Sequence, residues 1–316
     1  MLFSVIIPLY NKAPFVAKAI QSVLAQTFTD YELVIVDDGS KDNSFDVAAM
    51  AVEGHLNCRL VRQENAGVST ARNNGVAVSQ GGYVCFLDAD DWWDSRFLEE
   101  MSKLIEEFPE AGIYGTGYTI VNETKHKTHV ARIGVEEGFE KGYINYCQVY
   151  AKTKCMPLTS ISVAIPKKVF EEVKGFKPQL KMGEDFDLWI RIALKYKVVF
   201  LNMPLAFYNQ DVEIQHRAIG TLPDPKYQFA FCADYLKNDM GRDKDVKYIV
   251  EYVQIVCLRS YYLSKKYHDR AKKVLDAMDL KLHLKEPYSN YLQHPVWMMK
   301  LFYGMVALKS RIKYGG

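Results

Sequence analysis

The sequence predicts an α/β fold: a mostly parallel sheet flanked by helices, followed by an α-helical C-terminal extension. Three observations carry this. Over the first two-thirds of the chain, short apolar runs alternate with segments whose apolar residues recur at helical spacing, the pattern of parallel strands joined by crossover helices. Two of those runs end in aspartates, Asp37-Asp38 and Asp88/Asp90. From Tyr227 onward the text is helical and turns basic.

Length and composition allow this. The chain has 316 residues, 49% of them hydrophobic and 25% charged, which suits a folded protein with a large core plus an extension. Its six cysteines show no CxxC pairing, and Cys85 sits inside an apolar run, so reduced thiols in a cytoplasmic setting are expected rather than disulfides or a zinc site. The start, MLFSVIIPLYN, lacks a basic n-region and reads as a first strand instead of a signal peptide. Net charge is +2, yet residues 217–316 carry 18 Lys and Arg against 10 Asp and Glu, and no acid follows Glu286. The expected division is therefore a sheet domain over 1–216 and a basic helical extension over 217–316. Such an imbalance suggests an anionic surface as partner for the extension.

Taken in order, Phe3 to Pro8 reads as a buried strand. Pro14 then sits where a helix begins, with Ala17, Ile20, Val23 and Leu24 on one face. Glu32 to Val36 is a second strand, followed by a helix over 42–53 and a short strand near Arg59-Leu60-Val61. A helix from Val68 to Ser79 carries Arg72 and Asn73. The strand Tyr83 to Leu87 leads into FLDADDWWD, and Phe97, Leu98, Met101, Leu104, Ile105 and Phe108 mark the next helix. Gly112 to Ile120 and Gly142 to Tyr150 are shorter runs, with Lys125 to His129 expected as a solvated loop. Thr159 to Ile165 alternates like a strand, and 167–173 is a helix stopped at Gly175. Glu184 and Asp185 open another helix, Lys197 to Leu201 is a strand, and Leu205 to Tyr208 is a separate extended piece. Val246, Ile249, Val250, Val253, Val256 and Cys257 form one helical stripe.

Asp88, Asp90, Asp91 and Asp94 follow directly on a buried strand, where acids repel unless something positive sits among them. Asp-x-Asp with oxygen-only ligands suits Mg²⁺ or Mn²⁺ carrying a phosphorylated ligand. The same acids also suit the cap and first turn of the helix after Ser95, as Glu184/Asp185 suit capping of theirs. Position favours a site: ligands of such sheets lie outside the carboxyl ends of the strands, and both aspartate pairs fall there. Asp91 and Asp94 are then the residues expected to cap. Neither GxGxxG nor GxxxxGK[ST] occurs, so a Rossmann dinucleotide site and a P-loop lack their phosphate cradle.

With these pieces placed, the ordered series SVIIPLYN (4–11), VDDGS (36–40), ENAGVSTARNNG (64–75), FLDADD (86–91) and GEDFDLWIR (183–191) resembles the inverting glycosyltransferases of family 2, which have the nucleotide-sugar GT-A fold. The resemblance runs from about Phe3 to Tyr208. It implies that Pro8, Leu9 and Tyr10 frame a nucleotide base, that Asp38 or Asp37 accepts from the base N–H, and that Arg72 and Asn73 help hold the nucleotide. It further implies that Asp88 contacts the ribose, that Asp90 binds Mn²⁺ or Mg²⁺ bridging the diphosphate, and that Asp185 is the general base with Glu184 beside it. Family members often place a metal- or phosphate-contacting histidine downstream of the base; His216 is the one histidine near that place, in a poorly matching context.

The implied partners are a nucleotide-sugar donor, UDP-linked by expectation, and a glycan or lipid-linked acceptor of cell-surface polysaccharide synthesis; no nucleic acid is expected. Alternatives are a catalytically silent nucleotide-sugar-binding protein, which should lack one of the acids, and a nucleotidyltransferase, which should carry a glycine- and lysine-rich loop after the first strand. Trp92, Trp93 and Trp189 read as packing residues, with Trp92 or Trp93 also able to line the acceptor side. The tail after Pro295 is apolar on most faces and has basic flanks, but is too short and interrupted to span a bilayer. It reads either as an interfacial helix at the cytoplasmic face of a membrane or as a helix docked on its own protein or on a second subunit of a homo-oligomer.

Overall fold

A computed structural model of the chain describes residues 1–122, 124–211, 222–286 and 289–313, with side chains up to residue 305. Packing divides the chain into two units, Met1–Gly220 and Thr221–Gly316.

The first unit is built on a sheet with ten strands among the described residues. Four strands, β1 (Phe3–Leu9), β2 (Tyr31–Asp37), β3 (Cys58–Arg62) and β4 (Tyr83–Phe86), pair in parallel in the order β3-β2-β1-β4. Every residue of β1 and β2 is buried, as expected where helices cover both faces. The sheet continues through β5 (Trp92–Trp93), β6 (Ala111–Asn122), β7 (Lys127–Val130), β8 (Lys141–Ile144), β9 (Val163–Pro166) and β10 (Lys197–Asn209). Beyond β4 the order is β9-β6-β10-β5; β9 runs antiparallel to both neighbours, and β6 and β10 are parallel.

Helices α1 (Val16–Leu24), α2 (Ser44–Ala51), α3 (Val68–Val78), α4 (Phe97–Glu107), α6 (Lys167–Glu172) and α7 (Glu184–Ala193) lie where the sequence predicts helices, whereas α5 (Tyr146–Thr153) falls in the short run Gly142 to Tyr150, which splits into β8 and a helix capped by the Asn145 side chain. Helix α1 buries Val16, Ala19, Ile20 and Val23, one stripe at helical spacing.

Three further readings of the sequence need correction. Lys197–Asn209 is a single 13-residue strand, because register shifts around Leu201, Pro204 and Ala206 absorb the proline while pairing with β6 continues. The 125–129 stretch contributes β7, an exposed strand paired with the end of β6. Only Val163–Pro166 of the expected strand at 159–165 is extended, since Ser160–Ser162 turns as a 3₁₀ helix boxed by Thr159.

The second unit holds α8 (Phe229–Cys232), α9 (Lys237–Arg242), α10 (Lys244–Tyr262), α11 (His268–Leu275) and α12 (Val296–Lys313). Asp243 caps α10 by accepting from the amides of Asp245 and Val246. The core of the unit gathers Ile255, Leu258 and Tyr261 of α10 with Ala271 and Leu275 of α11, Tyr291 and Met299. The helical character from Tyr227 onward is as the sequence predicts. None of the described helices is long and apolar enough to cross a membrane.

Candidate active site

The carboxyl ends of β1, β2 and β4 lie side by side, so the loops that leave them share one rim. Three acids from two distant segments meet there on one guanidinium. Arg72 of α3 is 3% exposed; its Nη2 donates to Asp88 Oδ1 at 2.7 Å and its Nη1 to Asp185 Oδ1 at 3.0 Å, with Glu184 Oε1 at 3.8 Å. Arg72 also lies over the Phe176 ring, 5.0 Å from its centroid.

Local structure puts each group in place. Helix α3 lies against β1 and β2. Gly75 permits the close approach, because a Cβ there would stand 2.4 Å from Ile6 Cγ2. Asp88 leaves the end of β4, where Leu87 still pairs with the Ile6 carbonyl. Gly183, at φ +79°, begins α7 with no side-chain cap, so Glu184 and Asp185 occupy its first turn. The helix N-terminus favours their charge. First-turn position and membership of the site therefore coincide.

Asp88 is engaged on both oxygens, since Ser160 donates to its Oδ2 at 3.1 Å. Burial pushes the Asp185 carboxyl up to about 7; Arg72 opposes this, and Glu184 and Asp88 reinforce it. Asp90 is raised by burial and by Asp88, against the pull of Lys12, whose Nζ lies 2.5 Å from Asp90 Oδ2. Asp91 is buried and raised well above the usual range by burial and by Asp90 and Asp88.

The remaining predicted residues fall as follows. Pro8 and Leu9 are buried at the end of β1, and Tyr10 is 39% exposed at its tip. Asp38 accepts from Gln63 Nε2 (2.7 Å) and the Ala66 amide (2.8 Å) on Oδ1, and from the Gly67 amide (2.9 Å) and Asn65 Nδ2 (3.2 Å) on Oδ2. A carboxylate has about four acceptor sites. All are taken by the 63–67 loop, so Asp38 builds a wall here, and contact with a base N–H requires one of these partners to give way. Asp37 is fully buried, with Arg62 Nε 3.0 Å from its Oδ2. Asn73 donates to the Phe176 carbonyl (2.8 Å) and accepts from the Phe176 amide (3.0 Å), which makes it a brace between α3 and the turn after α6. His216 lies outside the described residues.

The expected caps also divide. Asp94 accepts from the Arg96 amide just ahead of α4 (3.0 Å), but Asp91 accepts from the Asn209 amide (2.7 Å) and so fastens the end of β10 to the site loop. Trp93 and Trp189 are buried packing residues, and Trp92 stacks on Phe207 beneath the Lys18 ammonium. Two participants, Lys12 and Ser160, escape the sequence reading. Their partners lie 78 and 72 residues away, and neither stands in an acidic or glycine-rich signature.

For a metal, the donor set is all oxygen. Among the described residues no three His, Cys, Asp or Glu side chains form a cluster able to hold an ion. Mg²⁺-type ions need no such cage: they commonly use one or two carboxylates and complete their shell with substrate phosphates and water. Asp90 fits that use, with Asp88 behind it.

A mixed sheet whose parallel strands gather buried acids on their carboxyl rim, with a second acidic pair opening a later helix, is the arrangement of a GT-A-type fold. Residues 4–174 match the profile of glycosyl transferase family 2, and the chain belongs to that family. It is similar to glycosyltransferase GlyA of Streptococcus pneumoniae, 32% identical over 213 residues, which are 65% of this chain and 30% of GlyA. It is also similar to the uncharacterized glycosyltransferase EpsJ of Bacillus subtilis, 35% identical over 37% of this chain and 34% of that protein. The aligned parts thus span about a third of the length of these two relatives. Among solved structures, S. aureus TarS 1–349 in complex with UDP-GlcNAc superposes with a TM-score of 0.62 over 92% of this chain and 75% of that chain, at 19% identity. That likeness shows the fold.

Proposed function

We propose that the chain is a metal-dependent inverting glycosyltransferase that moves a sugar from a nucleotide diphosphate donor to an acceptor hydroxyl. The observation that carries this is the convergence of Asp88, Glu184 and Asp185 on buried Arg72, with Asp185 raised to about 7. The family supports transfer chemistry, and the UDP-GlcNAc held by the TarS neighbour supports a UDP-linked donor.

In this reading Pro8, Leu9 and Tyr10 frame the base, with Tyr10 free of the core and able to stack. Asp38 shapes the loop beside it, and Asp37 holds Arg62 at the same wall. Asp88 takes the ribose, oriented by Arg72 and Ser160. Asn73 serves as a brace. Asp90, with Asp88 and His216 as further ligands, holds Mn²⁺ or Mg²⁺. Bound there, the ion supplies charge stabilisation for the departing diphosphate.

Asp185 takes the proton of the attacking hydroxyl. A base titrating near neutrality combines a useful ionised fraction with real basicity, and such catalysis contributes ~10²–10⁴-fold. Arg72 orients the Asp185 carboxylate and keeps it from being wholly protonated, while Glu184 raises its basicity. A single displacement needs no covalent intermediate, so an α-linked donor yields a β-linked product.

The acceptor is a glycan or lipid-linked glycan of surface polysaccharide synthesis, and the enzyme works at the cytoplasmic face of the membrane. The extension reads as peripheral contact there: Trp297, Leu301 and Met305 recur at four-residue spacing along α12 and all are exposed, with Phe302 and Lys300 beside them.

The test is transfer from a panel of sugar nucleotides with Mn²⁺ and lipid-linked acceptors. Asp90→Ala should abolish turnover and metal-dependent UDP binding together. Full transfer without metal would remove the role given to Asp90.

A further inference from the structure

The structure holds a cation against the carboxylate to which the metal role falls. Lys12 Nζ lies 2.5 Å from Asp90 Oδ2, and the two side chains are 16% and 18% exposed. This pair is built by the fold. Strands β1 and β4 are parallel neighbours, so the loop carrying Lys12 and the loop carrying Asp90 leave the same edge of the sheet.

The Lys12 backbone is pinned. Its amide donates to Ser44 Oγ at 2.7 Å, and its carbonyl accepts from Phe15 and Val16 at 2.9 and 3.0 Å. Asn11 just before it adopts φ +51° and accepts from the Lys41 amide through its side chain. With the backbone fixed, the four-carbon stem is the part of Lys12 that can move, and its ammonium is a compact point charge suited to phosphate.

We infer that Lys12 is a tethered counterion that competes with a divalent cation for Asp90, and that moves to the donor diphosphate when metal and nucleotide bind. This rests on the donor-site reading above. Two positive charges on one partly buried carboxylate oxygen repel, so a cation reaching Asp90 gains by displacing the ammonium. The released ammonium is two residues beyond Tyr10 and beside Asp90, between the groups assigned to the base and to the phosphates. It can then neutralise the phosphate charge that the ion does not reach. Coupling of this kind is reciprocal: nucleotide that draws the ammonium away strengthens metal binding, and metal that releases the ammonium strengthens nucleotide binding by the same factor.

The experiment uses the full chain, with Mn²⁺ alone and then UDP as probes. Free Mn²⁺ is followed by electron paramagnetic resonance, and UDP binding at saturating Mn²⁺ by calorimetry. Lys12→Met should bind Mn²⁺ about tenfold more tightly than the parent without nucleotide, yet bind UDP about tenfold more weakly at saturating Mn²⁺. Lys12→Gln removes the charge with a polar stem of similar length and should shift both affinities as Lys12→Met does, which covers the case in which Lys12→Met folds poorly. Lys12→Arg keeps the charge and should stay near the parent in Mn²⁺ affinity. Unchanged or weaker Mn²⁺ binding in a normally melting Lys12→Met, or undiminished UDP binding, overturns the role of Lys12 alone. Parent protein that binds no UDP even with Mn²⁺ overturns the donor-site reading and this inference together.

Discussion

The two units of this chain treat charge differently. Both carry exposed ion pairs, but Met1–Gly220 also draws a set of acids inward: Asp37, Asp38, Asp91 and Asp187 are buried, and Asp88, Glu184 and Asp185 meet on a guanidinium that is itself buried. In Thr221–Gly316 charge mostly stays at the surface, as in the exposed pairs Lys237–Asp234 and Lys272–Asp276, while several large apolar side chains of α12 face outward. Exposed ion pairs contribute little, and buried ones are costly to break because the survivor is left uncompensated. The comparison teaches where this protein keeps charges out of water and where it offers an apolar surface.

The sharpest way to break the contrast is Arg72→Met. Three carboxylates would lose their shared cation, so unfolding should show a loss of about 3–5 kcal/mol and transfer should vanish. Retained stability at pH 8 would mean the network is far more hydrated than its burial implies.

Next comes Asp185→Asn, expected to lower turnover ~10²–10⁴-fold while leaving UDP affinity intact. Turnover of the parent enzyme should fall with each pH unit below about 7, because the base must be ionised, and the residual turnover of the variant should not follow that profile. The stability effect has the opposite sense. A carboxyl raised in the folded state favours folding fully below its ordinary pKa, and that contribution is lost as pH rises toward about 7. Asp185→Asn should therefore raise the melting temperature at pH 8 and scarcely change it at pH 4. A lower melting temperature at pH 8 would show that the Arg72 contact outweighs desolvation.

One place in the second unit behaves like the first. Glu251 is buried against His283, with Oε2 3.0 Å from Nε2. Glu251→Ala strands a buried imidazole and should cost roughly 1–3 kcal/mol in denaturant unfolding, without affecting UDP binding.

Smallest in stability is Leu301→Glu on exposed α12, within about 0.5 kcal/mol of the parent. Its effect should appear in flotation with anionic vesicles, where binding should drop. Undiminished flotation would move the membrane contact off α12.

Some of this was legible in the sequence because the cause was local. Phe3 to Leu9 and Tyr31 to Asp37 are predominantly apolar runs, and such runs admit few structures other than central strands. The alternation of strand and helix then set which ends carry Asp37, Asp38, Asp88 and Asp90, so a rim of acids followed from order alone. The basic, helical character after residue 217 was equally plain, since charge is counted without geometry.

Tertiary structure decided the rest, because contacts between distant residues leave no periodicity in either segment. Lys197 to Tyr208 looked like two pieces since Pro204 interrupts the local pattern; pairing with β6 across a bulge makes it one strand. Asp91 resembled a cap, and only the approach of Asn209 shows it fastening β10. The family resemblance implied ligand contacts for Asp38 and Asn73, and the groups that fill their hydrogen bonds in the fold come from a neighbouring loop and a turn after α6. By itself the sequence determined the sheet, its order of acids and the family. Which acid meets Arg72, which meets Lys12 and which holds a loop depended on the fold, because those choices are made by distances of 2.5 to 3.0 Å between residues 16 to 118 positions apart.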